Sequence, residues 1–410
     1  MEDKALRKGL SVTAIVLIVI SAIVLSLNNT NEILYGSEAA FYGIPFIAAF
    51  AVPLLMVLIL LTRFYRSTDT MEEMIAAIAL RYAVFGWFFI FLIVFVSALF
   101  RAFFNDFYTE HFSTVYLLMN SFNVCAVGTV VLSIALRKLP AVKIEKRKMK
   151  FKQLFLLIMM MYGLTQIGSL MGTPIDTILT LPSTLGLGAE DFMKELQNNV
   201  VFSANTYIRI ICVGILPAIF EELLFRKFMI DRTIRHGEFI SCAMSGIMFG
   251  LWHGNFQQFF FAFFVGVMFA FVYIRTGNII YTMILHGSMN LVTSTVTVEL
   301  VKGLLKRMGI DIGNGTVRDI DLNTMMRSVL PFMLLLLLWL FVLLGFQIAG
   351  FVLLIVKRRN FKLAVMEGEP ARKVILHKMT HSVEMWVFFT FAILLFIYSY
   401  LPDNLAVLFR

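Results

Sequence analysis

The chain has 410 residues, with 35 Lys and Arg against 26 Asp and Glu and a formal net charge of +9. It is 60% hydrophobic and only 15% charged, with a mean hydropathy of +0.85, whereas a soluble domain is about half apolar and about a quarter charged. An apolar surplus of this size does not fit inside one water-soluble core. It excludes a soluble enzyme, a disordered chain and a collagen-like fibre. The basic excess reads as cytoplasmic loop charge, so no nucleic-acid partner is expected.

A bilayer core needs about 20 apolar residues per helix. In chain order, such stretches occur at 10–28, 41–62, 82–104, 114–136, 153–172, 202–228, 238–254, 256–274, 279–298, 328–356 and 384–401. The expected fold is all-α, a polytopic membrane helical bundle of about eleven transmembrane helices. The first stretch has the basic start of a signal peptide, but Ser26-Leu27-Asn28 is no small-residue cleavage site, which predicts an uncleaved anchor. The stretch 238–254 is short and joins 256–274 through a tight Gly254-Asn255 turn. Residues 173–201 read as an outer loop carrying one surface helix around Lys194-Glu195-Leu196-Gln197, and 361–383 as a cytoplasmic loop with a basic, partly amphipathic helix. Cys125, Cys212 and Cys242 form no CxxC pair and read as buried free thiols.

Loop charge sets the orientation. With Lys4, Arg7 and Lys8 in the cytoplasm, most of the basic residues fall on that side, including the cluster in 137–152 and the run from Lys357 to Lys378. Loops 29–40 and 105–113 on the other side carry none. The segment 299–327 dissents with five basic residues, mixed with Asp, and reads as a small exposed piece.

An ionisable group inside a span costs about 2.5–3.5 kcal/mol on insertion scales. Arg101 and Arg209 lie near outer ends and can snorkel. The others fall in three consecutive stretches. In the first, Glu221 and Glu222 end an apolar run. Glu222 and Arg226 are one helical turn apart and can pair, while Glu221 points about 100° away, without a cation, as a competent general base. The bland alternative is that the helix has ended and both are wet. In the second, Phe249 and His253 share a face, and His253 alone could be a satisfied structural histidine. In the third, His286 and Asn290 aim at one place and could bind an oxyanion or simply bond two helices together. Counted from the cytoplasmic side, Glu221, His253 and His286 lie roughly 16, 20 and 12 Å deep, in one slab.

The order Glu-Glu-x-x-x-Arg, Phe-x-x-x-His, His-x-x-x-Asn on successive membrane helices resembles the CAAX protease and bacteriocin-processing (CPBP, or Abi) family of intramembrane endopeptidases, which includes the type II CAAX prenyl protease. The resemblance covers about 150–300. It divides the chain into N-terminal membrane helices and a basic loop (1–152), a CAAX-protease-like catalytic core (153–300), and an outer segment with C-terminal membrane helices (301–410).

It implies hydrolysis of a peptide bond in a membrane-anchored or lipidated protein or precursor peptide. Glu221 and His253 would activate a water, and His286 and Asn290 would bind the tetrahedral intermediate. Glu222, Arg226 and Phe249 would then be supporting residues. No His-Glu-x-x-His is present. A metal-free mechanism is favoured, although Glu221, His253 and His286 could supply the three ligands that a divalent metal such as zinc needs. The expected setting is a prokaryotic plasma membrane or an ER membrane, with the N-terminus cytoplasmic.

The principal alternative is a non-proteolytic scaffold that uses its extra helices to hold a partner membrane enzyme. A transporter with a midplane site is disfavoured by the lack of repeat symmetry. The orientation makes a direct prediction. Single cysteines placed in 139–150 or 365–375 should react with an impermeant thiol reagent only from the cytoplasmic face, and those in 30–38 only from the other. Labelling of both sets from one face would invert the arrangement.

Overall fold

The computed structural model describes residues 2–35, 37–65, 68–184, 199–311 and 316–408. Almost all of them are helical, and the single sheet among them is the two-stranded pair Ile310–Asp311 with Thr316–Val317. The fold is an all-α membrane bundle, as its composition requires. Every one of the eleven apolar stretches is helical over most of its length. Five helices among the described residues are long and apolar enough to cross a membrane: Met71–Arg101, Phe151–Leu181, Phe256–Thr276, Leu322–Val356 and Val383–Tyr400.

Six of the eleven stretches are not among these five. The stretches 114–136, 202–228 and 279–298 are each interrupted by wider π-helical turns, at Asn123–Gly128, at Ile210–Ile215 and Leu223–Phe228, and at Val292–Thr297. Glu238–Trp252 is short, as expected. The stretches 10–28 and 41–62 lie in helices Glu2–Tyr35 and Ser37–Phe64, whose side chains are described only in part.

Several loops proved shorter than the sequence suggested. Helix Glu2–Tyr35 runs into the expected 29–40 loop, and helix Met71–Glu110 into 105–113. Helix Phe151–Thr184 likewise runs through the first part of 173–201, where Thr177 bonds back to the Thr173 carbonyl and Thr180 to that of Asp176. Residues 194–197 lie outside the described residues. Gly254 takes φ +67 and Asn255 caps the next helix through Gln258, forming the expected tight turn. The amphipathic helix in 361–383 is Arg372–His381, burying Ile375 and Met379 on one face. Arg209 does not snorkel. It is fully buried and pairs with Glu299, which comes from a helix that the sequence placed in the dissenting outer segment.

Helix Phe151–Thr184 is the hub of the central packing, lying against Phe256–Thr276, Leu330–Val356 and Val383–Leu408. Glycine makes this possible, as small residues do where membrane helices meet closely. A Cβ on Gly168 would stand 2.2 Å from the Phe261 Cα, and one on Gly172 2.1 Å from the Phe256 oxygen. A Cβ on Gly350 would stand 1.8 Å from the Met159 oxygen. Gly350→Ala should therefore lower the melting midpoint in detergent, by about 1–3 kcal/mol of overpacking or more. Gly345→Ala, on the same helix but facing open space, should leave it unchanged.

Candidate active site

Four helical pieces converge. The short helix Leu216–Glu222 carries both glutamates; it continues the π-helical turn Ile210–Ile215, with Pro217 in its first turn. The π-helical turn Leu223–Phe228 follows and carries Arg226. Helix Glu238–Trp252 supplies Phe249 and ends at His253. Helix Ile279–Leu291, capped by Asn278, supplies His286 and Asn290.

Glu222 is the centre of the arrangement. It is 0% exposed, and its Oε1 lies 3.0 Å from the Arg226 guanidinium, also 0% exposed. The same oxygen lies 3.0 Å from His286 Nδ1. Residue spacing predicts one partner for Glu222; the structure shows two, because helix Ile279–Leu291 packs against Leu216–Glu222. With the carboxylate as acceptor, the Nδ1–H of His286 donates to it, and the other ring nitrogen, Nε2, faces Glu221 Oε2 at 3.8 Å. That separation is beyond hydrogen-bond reach. Glu221 retains partial exposure, at 17% of its side chain.

His253 Nδ1 lies 2.9 Å from the Phe249 carbonyl, which can only accept, so Nδ1 carries the proton and Nε2 is the acceptor in the neutral ring. The Phe249 ring is buried between three cationic or imidazole groups. Arg226 stands over it at 4.3 Å, and the rings of His253 and His286 meet its edge-on geometry at 5.0 and 5.8 Å. Asn290 donates from Nδ2 to the Val213 carbonyl at 3.0 Å, which occupies one of its two amide hydrogens. The structure thus brings Glu221, Glu222, Arg226, Phe249, His253 and His286 into one cluster, and ties Asn290 to the neighbouring helix at its edge.

Three contributors escaped the sequence reading. Phe269 covers the other side of Arg226, 5.3 Å from its ring centre, and lies 5.8 Å from the His286 ring. Gly266 accepts from Arg226 through its carbonyl at 3.3 Å, and a Cβ there would press on Phe249 at 3.0 Å. Val213 fixes Asn290 through its backbone. The only available signal was a lone glycine in a phenylalanine-rich helix; a backbone acceptor leaves none. Among the described residues no group of three His, Cys, Asp or Glu is arranged to hold a metal ion. The proposed set of Glu221, His253 and His286 therefore does not fit a metal as it stands, and no step is routed through one.

Residues 203–292 match the family model described as Type II CAAX prenyl endopeptidase Rce1-like. No curated protein and no solved structure matches the chain. The matched segment contains all seven residues of the cluster and its edge, and it supports an intramembrane endopeptidase in general. Through residues 203–292, this membrane protein is related to the CAAX protease family.

Proposed function

We propose that Glu221 is the general base of this endopeptidase, acting on a water without a metal, and that its substrates are membrane-anchored or lipidated proteins or precursor peptides. The observation that carries the reading is the facing of Glu221 Oε2 and His286 Nε2 across 3.8 Å, on an imidazole whose other nitrogen is held by Glu222. Of the two glutamates, Glu221 is the one left partly accessible and uncommitted to Arg226.

In this reading the water oxygen bonds to the scissile carbonyl carbon while Glu221 takes its proton. His253 Nε2, the free acceptor of its ring, holds the second hydrogen and fixes the water's direction. The charge that develops on the carbonyl oxygen is met by an Nε2–H of His286, whose Nδ1–H is held by Glu222, and by the remaining amide hydrogen of Asn290. Collapse of the intermediate breaks the C–N bond, and Glu221 returns its proton to the departing amine. Glu222 touches no reacting atom. It is a positioning residue that sets which nitrogen of His286 faces the substrate, as the carboxylate behind a catalytic histidine does elsewhere.

Glu221→Gln, His253→Ala and His286→Ala should each abolish cleavage while the protein still inserts, seen as uncleaved membrane precursors accumulating in cells carrying the variant. Wild-type processing in Glu221→Gln would end the enzyme reading of this site and favour the scaffold. Asn290→Ala should slow turnover by roughly 100-fold, the usual effect of losing one oxyanion donor.

Glu222→Gln should combine two effects that the Glu221 variant separates. Breaking a buried ion pair costs about 3–5 kcal/mol, so its melting midpoint should fall, and activity should drop by about 100-fold or more as His286 loses its anchor. Glu221→Gln should melt no lower than wild type. Chelators should leave turnover of the purified enzyme unchanged; loss of activity on chelation, restored by zinc, would replace the metal-free mechanism.

A further inference from the structure

A second polar site lies away from the catalytic cluster. Arg81 is only 4% exposed, yet its guanidinium meets carbonyl oxygens alone: Ala77 at 2.8 Å, Ala135 at 2.9 Å, Tyr65 at 3.1 Å and Thr62 at 3.3 Å. Two of these carbonyls belong to the C-terminal turns of helices Ser37–Phe64 and Thr129–Leu136, whose dipoles favour a cation there. Arg81 is the floor of a cavity of roughly 300 Å³ whose rim carries Arg63, Arg137 and Lys138 and whose wall includes Ile59 and Ile134. The three rim cations are exposed, and among the described residues no carboxylate pairs with them or with Arg81. The isoleucines are also turned outward, 48% and 56% exposed, where a membrane protein meets lipid tails.

We propose that this cleft binds the phosphate of an anionic phospholipid. Three rim cations without a carboxylate leave an uncompensated charge that a phosphate neutralises, above an Arg81 whose own donors are taken by carbonyls, and basic pockets between helix ends suit lipid head groups. The isoleucine wall decides between a lipid and a free phosphate. A lipid presents acyl chain and phosphate in the same order as the cleft presents Ile59 and Ile134, then Arg63, Arg137 and Lys138. Inorganic phosphate has no use for the apolar half. The proposal is independent of the proteolytic reading, because none of these side chains belongs to the catalytic cluster.

The test uses the full chain in phosphatidylcholine nanodiscs with phosphatidylglycerol as the anionic probe, and native mass spectrometry to count retained lipid. The wild type should retain phosphatidylglycerol in preference to phosphatidylcholine. Arg63→Gln, Arg137→Gln and Lys138→Gln should each weaken that retention about fivefold, and together about a hundredfold. The matched control Lys146→Gln/Lys148→Gln/Lys150→Gln, on the exposed basic loop, should weaken it far less. Arg81 is left in place because it ties helix ends together. Equal retention by the triple rim variant, with its melting midpoint intact, overturns the site. So does an equal loss in the control, which would mean diffuse surface charge. Displacement of the lipid by inorganic phosphate at comparable concentration would instead assign the cleft to free phosphate and overturn the lipid proposal.

Discussion

A carboxylate that cannot reach water must be met by protein, and in this molecule one such carboxylate organises the site. Glu222 is held at 3.0 Å by both Arg226 and His286. Arg226 is in turn clasped by the faces of Phe249 and Phe269 and by the Gly266 carbonyl. Burying these charges separately would be prohibitive; burying them as a paired set is possible only if the helices carrying them keep one geometry. The demand of Glu222 for partners thereby fixes helix Ile279–Leu291 against Leu216–Glu222. That leaves Glu221 as the carboxylate free to act. The division between the two adjacent glutamates follows from which of them the interior consumes.

The π-helical turns belong to the same physics. A turn that changes its bonding pattern leaves carbonyls without regular partners, and no lipid can satisfy them. Here polar side chains from neighbouring helices do so. Ser121 reaches the Cys212 carbonyl at 3.1 Å, Asn290 that of Val213 at 3.0 Å, and Ser245 that of Phe225 at 2.8 Å, while the Tyr82 hydroxyl reaches Leu224. These bonds cross between helices, so the irregular turns serve as the points where the bundle is pinned. The π-helical turns at Leu223–Phe228 and Val292–Thr297 directly follow the glutamates and Asn290, in keeping with the tendency of such turns to mark functional sites.

Much of this was legible from residue spacing. Hydropathy placed the helical stretches, and the i,i+4 spacing of Glu222 and Arg226 gave their ion pair, since both depend only on local periodicity. The second partner of Glu222 was not legible, because His286 lies 64 positions away and the contact depends on how two helices pack. Arg209 was misread for the same reason: its partner Glu299 sits in a segment whose charges suggested exposure. Extended helices replace the expected loops at 29–40 and 105–113, where polar residues signal the end of a span but continue the helix beyond it. Gly266 and Val213 act through backbone atoms, which a side-chain pattern does not display.

The central claim is that Glu222 holds the Nδ1–H of His286 and so aims Nε2 at the substrate, and imidazole nitrogen resonances read that directly. In ¹⁵N-histidine protein, with the His286 signals identified by their loss in His286→Asn, the Nδ1–H of His286 should appear as a hydrogen-bonded, exchange-protected proton. It should persist in Glu221→Gln and be lost or strongly shifted in Glu222→Gln. Persistence of that proton unchanged in Glu222→Gln, with its loss in Glu221→Gln, would show that the other glutamate holds the imidazole and would reverse the roles assigned to the pair.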